Sequence, residues 1–259
     1  MTSPLGSANG RVKEARKLSR RSERSERRLF LAEGWKSVVE AMEVPGCLVE
    51  VFVTAAAAEQ HADLIHGLDV GVHLVDDAAA ASLSGAQAPQ GIVAVCRFLD
   101  RPAEVLLEGR VVVICADVRD PGNAGTIIRT ADAAGAAAVL LAGSSVDPYN
   151  DKTVRATAGS LFHVPLAVGI DPIDAVRTAQ AAGYRVLAAD GAGEVDLLEA
   201  GELLDGKIAW LFGNEAWGLP EEVAAAADHR VAIPIYGRAE SLNLATAAAV
   251  CLYASAARA

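Results

Sequence analysis

Residues 111–116 read Val-Val-Val-Ile-Cys-Ala, with no polar position among them. A strand of that composition is buried on both faces, which calls for a parallel sheet with helices above and below it. The segments around it fit. Residues 138–141, 184–189, 208–212 and 231–233 read as further strands, and residues 123–134, 172–182, 221–227 and 242–257 as helices. Gly135 ends the first of these helices, and Asp171-Pro172 starts the second with a cap and a proline at the first position. Strands alternating with helices predict an α/β domain whose mostly parallel sheet has helices on both faces.

A smaller α/β unit precedes it. Residues 29–32, 49–54, 70–74 and 91–97 read as strands, 34–42 and 56–65 as helices, and the segment before them as a basic helix. Asp100-Arg101-Pro102 reads as a linker. The expected division is a first domain over 1–99, a connection over 100–109 and a second domain over 110–259.

Formal net charge is −10, which argues against an anionic partner until its distribution is considered. Residues 1–30 hold nine Lys or Arg against three Glu. Arg16, Lys17, Arg20, Arg21, Arg24, Arg27 and Arg28 make a stripe that can bind phosphates, because screening limits the reach of distant acids to about 10 Å. The same stripe also fits a solvated helix face with ion pairs such as Glu23–Arg27. The four cysteines (Cys47, Cys96, Cys115, Cys251) are far apart and form no CxxC pair. Reduced, buried thiols in a cytosolic protein are expected, with neither zinc ribbon nor other metal site. The N-terminus lacks the apolar core of a signal peptide, and the longest apolar run, 245–257, falls short of the about 20 residues a membrane span needs.

Three loops join an expected strand to an expected helix. In the first, Asp120-Pro121-Gly122-Asn123 is a turn signal leading into the helix that carries Arg129. Asn123 can cap that helix and Arg129 can pair with Asp132; alternatively, Arg129 faces the loop end of the sheet, where a guanidinium can hold a phosphate or a developing oxyanion. The second loop is Gly213-Asn214-Glu215-Ala216-Trp217-Gly218. Its glycines permit close backbone approach to a ligand, with a carboxylate between them. The spacing is neither GxGxxG nor GxxxxGK[ST], so a dinucleotide fingerprint and a P-loop are both unsupported. The third loop is Ile233-Pro234-Ile235-Tyr236-Gly237-Arg238-Ala239-Glu240-Ser241-Leu242-Asn243. Ser241 fits the N-cap of the last helix, which leaves Asn243 unexplained in the first turn. Free backbone N–H groups at such a junction can bind a ligand.

Taken together, the loops resemble the three signature motifs of the SpoU (TrmH-like) branch of the SPOUT methyltransferases. The matching residues are Asn123-x-Gly125-x-x-x-Arg129 with Gly135, then Gly213-Asn214-Glu215-x-x-Gly218, then Ile233-Pro234 with Gly237 and Ser241-Leu242-Asn243. Arg28-Leu29-Phe30-Leu31-Ala32-Glu33-Gly34 and Pro89-Gln90-Gly91-Ile92-Val93-Ala94-Val95 resemble, more loosely, the substrate-binding domain often fused ahead of that fold.

The resemblance implies a deep trefoil knot at the C-terminal end of the sheet, S-adenosylmethionine as cofactor, and methyl transfer to a ribose 2′-hydroxyl of RNA. It implies catalytic roles for Arg129, Asn123, Glu215, Ser241 and Asn243. Gly213, Asn214, Gly218, Ile233, Pro234 and Leu242 would hold the cofactor. The small first domain would bind RNA through the basic stripe, with ribosomal RNA favoured over transfer RNA, and the site would be completed in a homodimer. A guanidinium stays protonated to about pH 12, so Arg129 is expected to stabilise an alkoxide or fix a phosphate and not to act as a literal base. The alternatives are a transfer-RNA enzyme of the same fold and an assembly factor that binds RNA without catalysis.

Overall fold

The computed structural model describes residues 3–258. It divides into two compact units. The first comprises the chain up to Leu99 together with Asp147–Phe162; the second comprises Asp100–Val146 and the chain from His163 onward. The sequence reading kept 147–162 wholly within the second domain. That excursion carries a helix of only seven residues, Asp151–Thr157, capped by Asn150, which is too short for a periodic signal.

The first unit is built on four strands, β1 (Leu29–Glu33), β2 (Leu48–Thr54), β3 (Gly71–Val75) and β4 (Ile92–Arg97), ordered β1-β4-β2-β3. β2 and β3 run parallel and the other pairs antiparallel. Two basic helices precede them where one was expected: Gly10–Lys17, capped by Asn9, and Arg21–Arg27. Val12, Ala15 and Leu18 pack against Phe52, Val75, Val93 and Val95. An apolar stripe at helical spacing thus seats the first helix and turns Arg11, Lys13 and Arg16 outward. The helix expected over 56–65 is broken at His61 into Ala55–Gln60 and Ala62–His66. Tyr149, in the returning segment, stacks on Phe98 at 3.8 Å between ring centroids, and its hydroxyl oxygen accepts from the Leu99 amide.

The second unit has seven parallel strands: β5 (Val111–Ala116), β6 (Ala138–Ala142), β7 (Leu166–Val168), β8 (Arg185–Ala189), β9 (Val195–Asp196), β10 (Ile208–Phe212) and β11 (His229–Ala232). Their order is β7-β6-β5-β10-β8-β11-β9. Every residue of β5, β6 and β10 is buried, as the apolar runs required. One face packs Val112, Ile114, Ala209 and Leu211 against helices Pro172–Ala181 and Glu221–Ala226. On the other face, the Trp210 indole N–H donates to the buried Ser255 hydroxyl of the last helix, Leu244–Ala256, at 2.8 Å. That helix packs on Pro121–Ala133.

The chain steps one way from β5 through β6 to β7, then crosses β5 to lay down β8 and β9 on the other side, and β10 returns to insert between β5 and β8. The loops that follow β5 and β10 therefore leave the sheet side by side at its carboxyl end, the side on which ligands bind in open α/β sheets. Among the described residues no helix is long and apolar enough to cross a membrane.

Candidate active site

The loop after β5 begins under strain. Asp117 has φ 56, a left-handed conformation uncommon outside glycine. It is held by two 2.7 Å contacts: its Oδ1 accepts from the Ser144 amide, and its carbonyl accepts from Asn214 Nδ2. Asn214 is buried, and its Oδ1 also accepts from the Ala216 amide. Its Oδ1 therefore shapes the loop after β10 while its Nδ2 ties that loop to the one after β5.

That loop closes on itself. Asn214 and Gly218 exchange two backbone hydrogen bonds, both 2.9 Å. A Cβ on Gly213 would lie 2.4 Å from the Gly218 carbonyl carbon, so glycine is obligatory there because backbone meets backbone. Gly218 itself has φ +71. Glu215 projects from this turn towards the loop after β5. Its Oε2 accepts from the Arg119 amide at 3.2 Å, and its Oε1 from the Asp120 amide at 3.0 Å.

Asn123 does not cap its helix. The cap is Asp120, whose Oδ1 accepts from the Asn123 amide, with Pro121 at the first helical position. The Asn123 side chain is thereby free to donate Nδ2 to Glu215 Oε1 at 3.3 Å and to accept at Oδ1 from Asn243 Nδ2 at 3.0 Å. Nor does Ser241 cap the last helix. Its N-cap is Asn243, whose Oδ1 accepts from the Ala245 and Thr246 amides. The three loops are thus joined as Asn243, Asn123 and Glu215 in series, and the direction of every hydrogen bond is set by the helix amides at one end and the carboxylate at the other. At the floor of this arrangement, burial, aided by the nearby Glu215 charge, pushes the Cys115 thiol up to about 12.

Beside this chain lies a cavity of about 310 Å³. Its walls come from the carboxyl ends of three strands (Ala189 to Gly191, Gly213 to Gly218, Val231 to Ile235) and from Glu240, Ser241 and Leu242. Of the sequence-derived cofactor residues, Gly213, Asn214, Gly218, Ile233 and Leu242 line it; Pro234 does not, sitting between Ile233 and Ile235, which do. Asp190 and Glu240 are lining carboxylates that the sequence reading missed. The signal for Asp190 was its place just past the expected strand 184–189, where α/β ligand sites collect.

Arg129 is exposed on helix Pro121–Ala133, and among the described residues no hydrogen bond or ion pair reaches it. Its expected partner Asp132 instead takes His163, at 2.9 Å.

The basic stripe separates into two groups. Arg24 is buried, donating to Asp147 and to the carbonyls of Leu18 and Ser19, so its guanidinium is unavailable to a phosphate. Lys17 and Arg27 pair with Glu14, and the expected Glu23–Arg27 pair does not form among the described residues. Arg28 adopts φ 53 and lies over the Phe98 ring at 4.7 Å. Arg16, Arg20 and Arg21 are exposed, with no ion pair among the described residues.

Residues 110–253 match the SpoU rRNA Methylase family, and residues 9–94 match the MRM3-like substrate binding domain. The chain is 34% identical, over 95% of both proteins, to the 23S rRNA (guanosine(2553)-2'-O)-methyltransferase RlmP of Bacillus subtilis. Its structure is similar to the AdoMet-bound rRNA methyltransferase from Sinorhizobium meliloti, with a TM-score of 0.86 and 36% identity, covering 98% of this chain and 97% of that one. It is also similar to the SpoU methyltransferase AviRb from Streptomyces viridochromogenes in complex with AdoMet, with a TM-score of 0.86 and 28% identity, covering 96% and 98%.

Proposed function

The chain belongs to the SpoU rRNA methylase family, and on that premise we propose that it transfers the methyl group of S-adenosylmethionine to a ribose 2′-hydroxyl of ribosomal RNA. The carrying observation is the hydrogen-bonded series Asn243, Asn123, Glu215 at the lip of the cavity, which ties the three motif loops into one site.

The cavity suits the cofactor. Apolar Ile233, Ile235 and Leu242 offer walls for a flat ring, Asp190 and Glu240 offer charge to a cation, and the strand ends offer backbone groups. Bound there, S-adenosylmethionine supplies a methyl group on a sulfonium that is already activated to leave. The chain's task is to present and activate the hydroxyl. Glu215, accepting three hydrogen bonds, acts as a brace for the Arg119–Asp120 backbone and Asn123. Arg129, a cation with no ion pair among the described residues, stabilises the incipient alkoxide or fixes the adjacent phosphate. Turnover of Arg129→Lys at the wild-type rate with wild-type RNA affinity would rule out the guanidinium role.

The first unit chooses the RNA through Arg16, Arg20 and Arg21. Val250 and Tyr253 leave an apolar strip exposed on the last helix, which a second copy covers to form the homodimer. Sedimentation at the monomer mass would refute that. A chain threaded as a knot at this end of the sheet is what the resemblance to the SPOUT methyltransferases implies. Pulling the chain from both ends tests the threading: extension to the full contour length would exclude a knot. Four buried, unbridged cysteines support a cytosolic setting.

Calorimetric titration with S-adenosylmethionine and with NAD tests the cofactor assignment. Saturable binding of the first alone is expected; binding of NAD alone would overturn it.

A further inference from the structure

Trp217 is 55% exposed on the hydrogen-bonded turn that follows β10. Its neighbours Asn214 and Gly218 are locked by paired backbone hydrogen bonds and by the interior contacts of the Asn214 amide. The ring contributes little to the core, so folding does not account for it. An indole offered to water on a fixed turn is a preorganised surface for a flat partner, because little ordering cost remains when the partner arrives. The Arg119 guanidinium lies 5.0 Å from the ring centroid, covering one face. The backbone of Arg119 is held by Glu215, so cation and ring are positioned by the same carboxylate that links the three loops. Among the described residues no other ring or cation contacts Trp217.

We infer that Trp217 and Arg119 form a nucleobase platform. An unpaired RNA base stacks on the indole face away from Arg119, and the guanidinium takes the neighbouring phosphate. Every base has a π-face, and exposed aromatics beside arginines are the general means of holding single-stranded RNA. The role is positioning: the stacked base fixes the nucleotide whose ribose must meet the cavity. This rests on the reading of the site as an RNA ribose methyltransferase.

The test uses the full chain, radiolabelled S-adenosylmethionine and total ribosomal RNA from cells lacking the gene. Trp217→Ala should raise the KM for RNA roughly tenfold, change kcat less than threefold and leave S-adenosylmethionine affinity as in the wild type. Trp217→Phe should recover most of the loss, and Arg119→Gln should raise KM by a smaller factor. An unchanged KM in Trp217→Ala would overturn the platform, as would a change of oligomeric state, which would make Trp217 an interface residue. A second arm is independent of catalysis. A ten-nucleotide unstructured RNA should quench fluorescence of the wild type more than of Trp217→Phe, in which buried Trp210 and Trp35 of the first unit remain. Equal quenching would overturn the platform even in a protein that transfers no methyl group. Absence of transfer by the wild type, with the quenching difference retained, would refute the methyltransferase reading alone.

Discussion

Asn243 Nδ2 donates to Asn123 Oδ1 at 3.0 Å, joining residues 120 positions apart at the first turns of two packed helices. Each amide does two things at once. Asn243 caps its helix with Oδ1 and reaches Asn123 with Nδ2; Asn123 accepts from it and donates to Glu215. Helix stability and site geometry therefore both depend on the Asn243 side chain, and substitutions there can separate them.

Asn243→Asp keeps the capping oxygen but loses the donor. Whichever way Asn123 then turns, an acceptor faces an acceptor. Thermal unfolding should stay near the wild type while kcat falls at least tenfold. Asn243→Ala should lose about 1 kcal/mol of stability as well. Equal turnover by Asn243→Asp and the wild type would show that the series is only structural.

Ser241 lines the cavity without capping. Ser241→Ala should change stability by less than about 0.5 kcal/mol, with its effect falling on cofactor affinity or turnover. A larger loss measured by denaturant unfolding would restore the capping role.

The architecture was legible where composition leaves no choice. The fully apolar β5 and β10 announced a sheet covered on both faces, whereas Asp120-Pro121 read as a turn and the helix it opens was expected only from residue 123. Caps were less legible, because Asp120 and Asn123 both suit the same helix, as do Ser241 and Asn243. The side chains that neighbouring loops bring up are far off in sequence: Glu215 takes the Asn123 side-chain amide across some ninety residues, and Asn123 takes the Asn243 side-chain amide. The same limit explains Arg24. Within the segment it is one more arginine of the stripe; only the returning chain at Asp147 makes it a buried ion pair.

That contrast can be measured. Arg24→Ala strands Asp147 and should cost about 3–5 kcal/mol. The triple change of Arg16, Arg20 and Arg21 to alanine should leave stability within about 1 kcal/mol and flatten the salt dependence of RNA binding, by about 0.7–0.9 in log–log slope for each phosphate that is no longer neutralised. A triple variant with the wild-type slope would remove these residues from the RNA surface.

Cys115 sets an alkaline limit. Its thiol rises from an ordinary 9.0 to about 12 in the folded chain, so the folded state holds this proton more tightly than the unfolded state. The associated stability is complete below pH 9 and is lost as pH climbs towards 12, by about 4 kcal/mol in all. Cys251, likewise raised by burial, adds in the same direction. Denaturant unfolding between pH 8 and pH 11 should show a falling midpoint, and Cys115→Ala should reduce the slope. An unchanged slope would mean that another group governs the fall.

Methylation of a ribose hydroxyl leaves a chemical mark that base methylation does not. Ribosomal RNA from cells lacking the gene, treated with the protein and radiolabelled S-adenosylmethionine, is hydrolysed in alkali, which cannot cut beside a methylated 2′-oxygen. Label in alkali-stable dinucleotides, absent with Arg129→Ala, is the expected result. Label confined to mononucleotides, as base methylation would leave it, or no transfer to ribosomal RNA, would mean that the chain is not a ribose methyltransferase of ribosomal RNA.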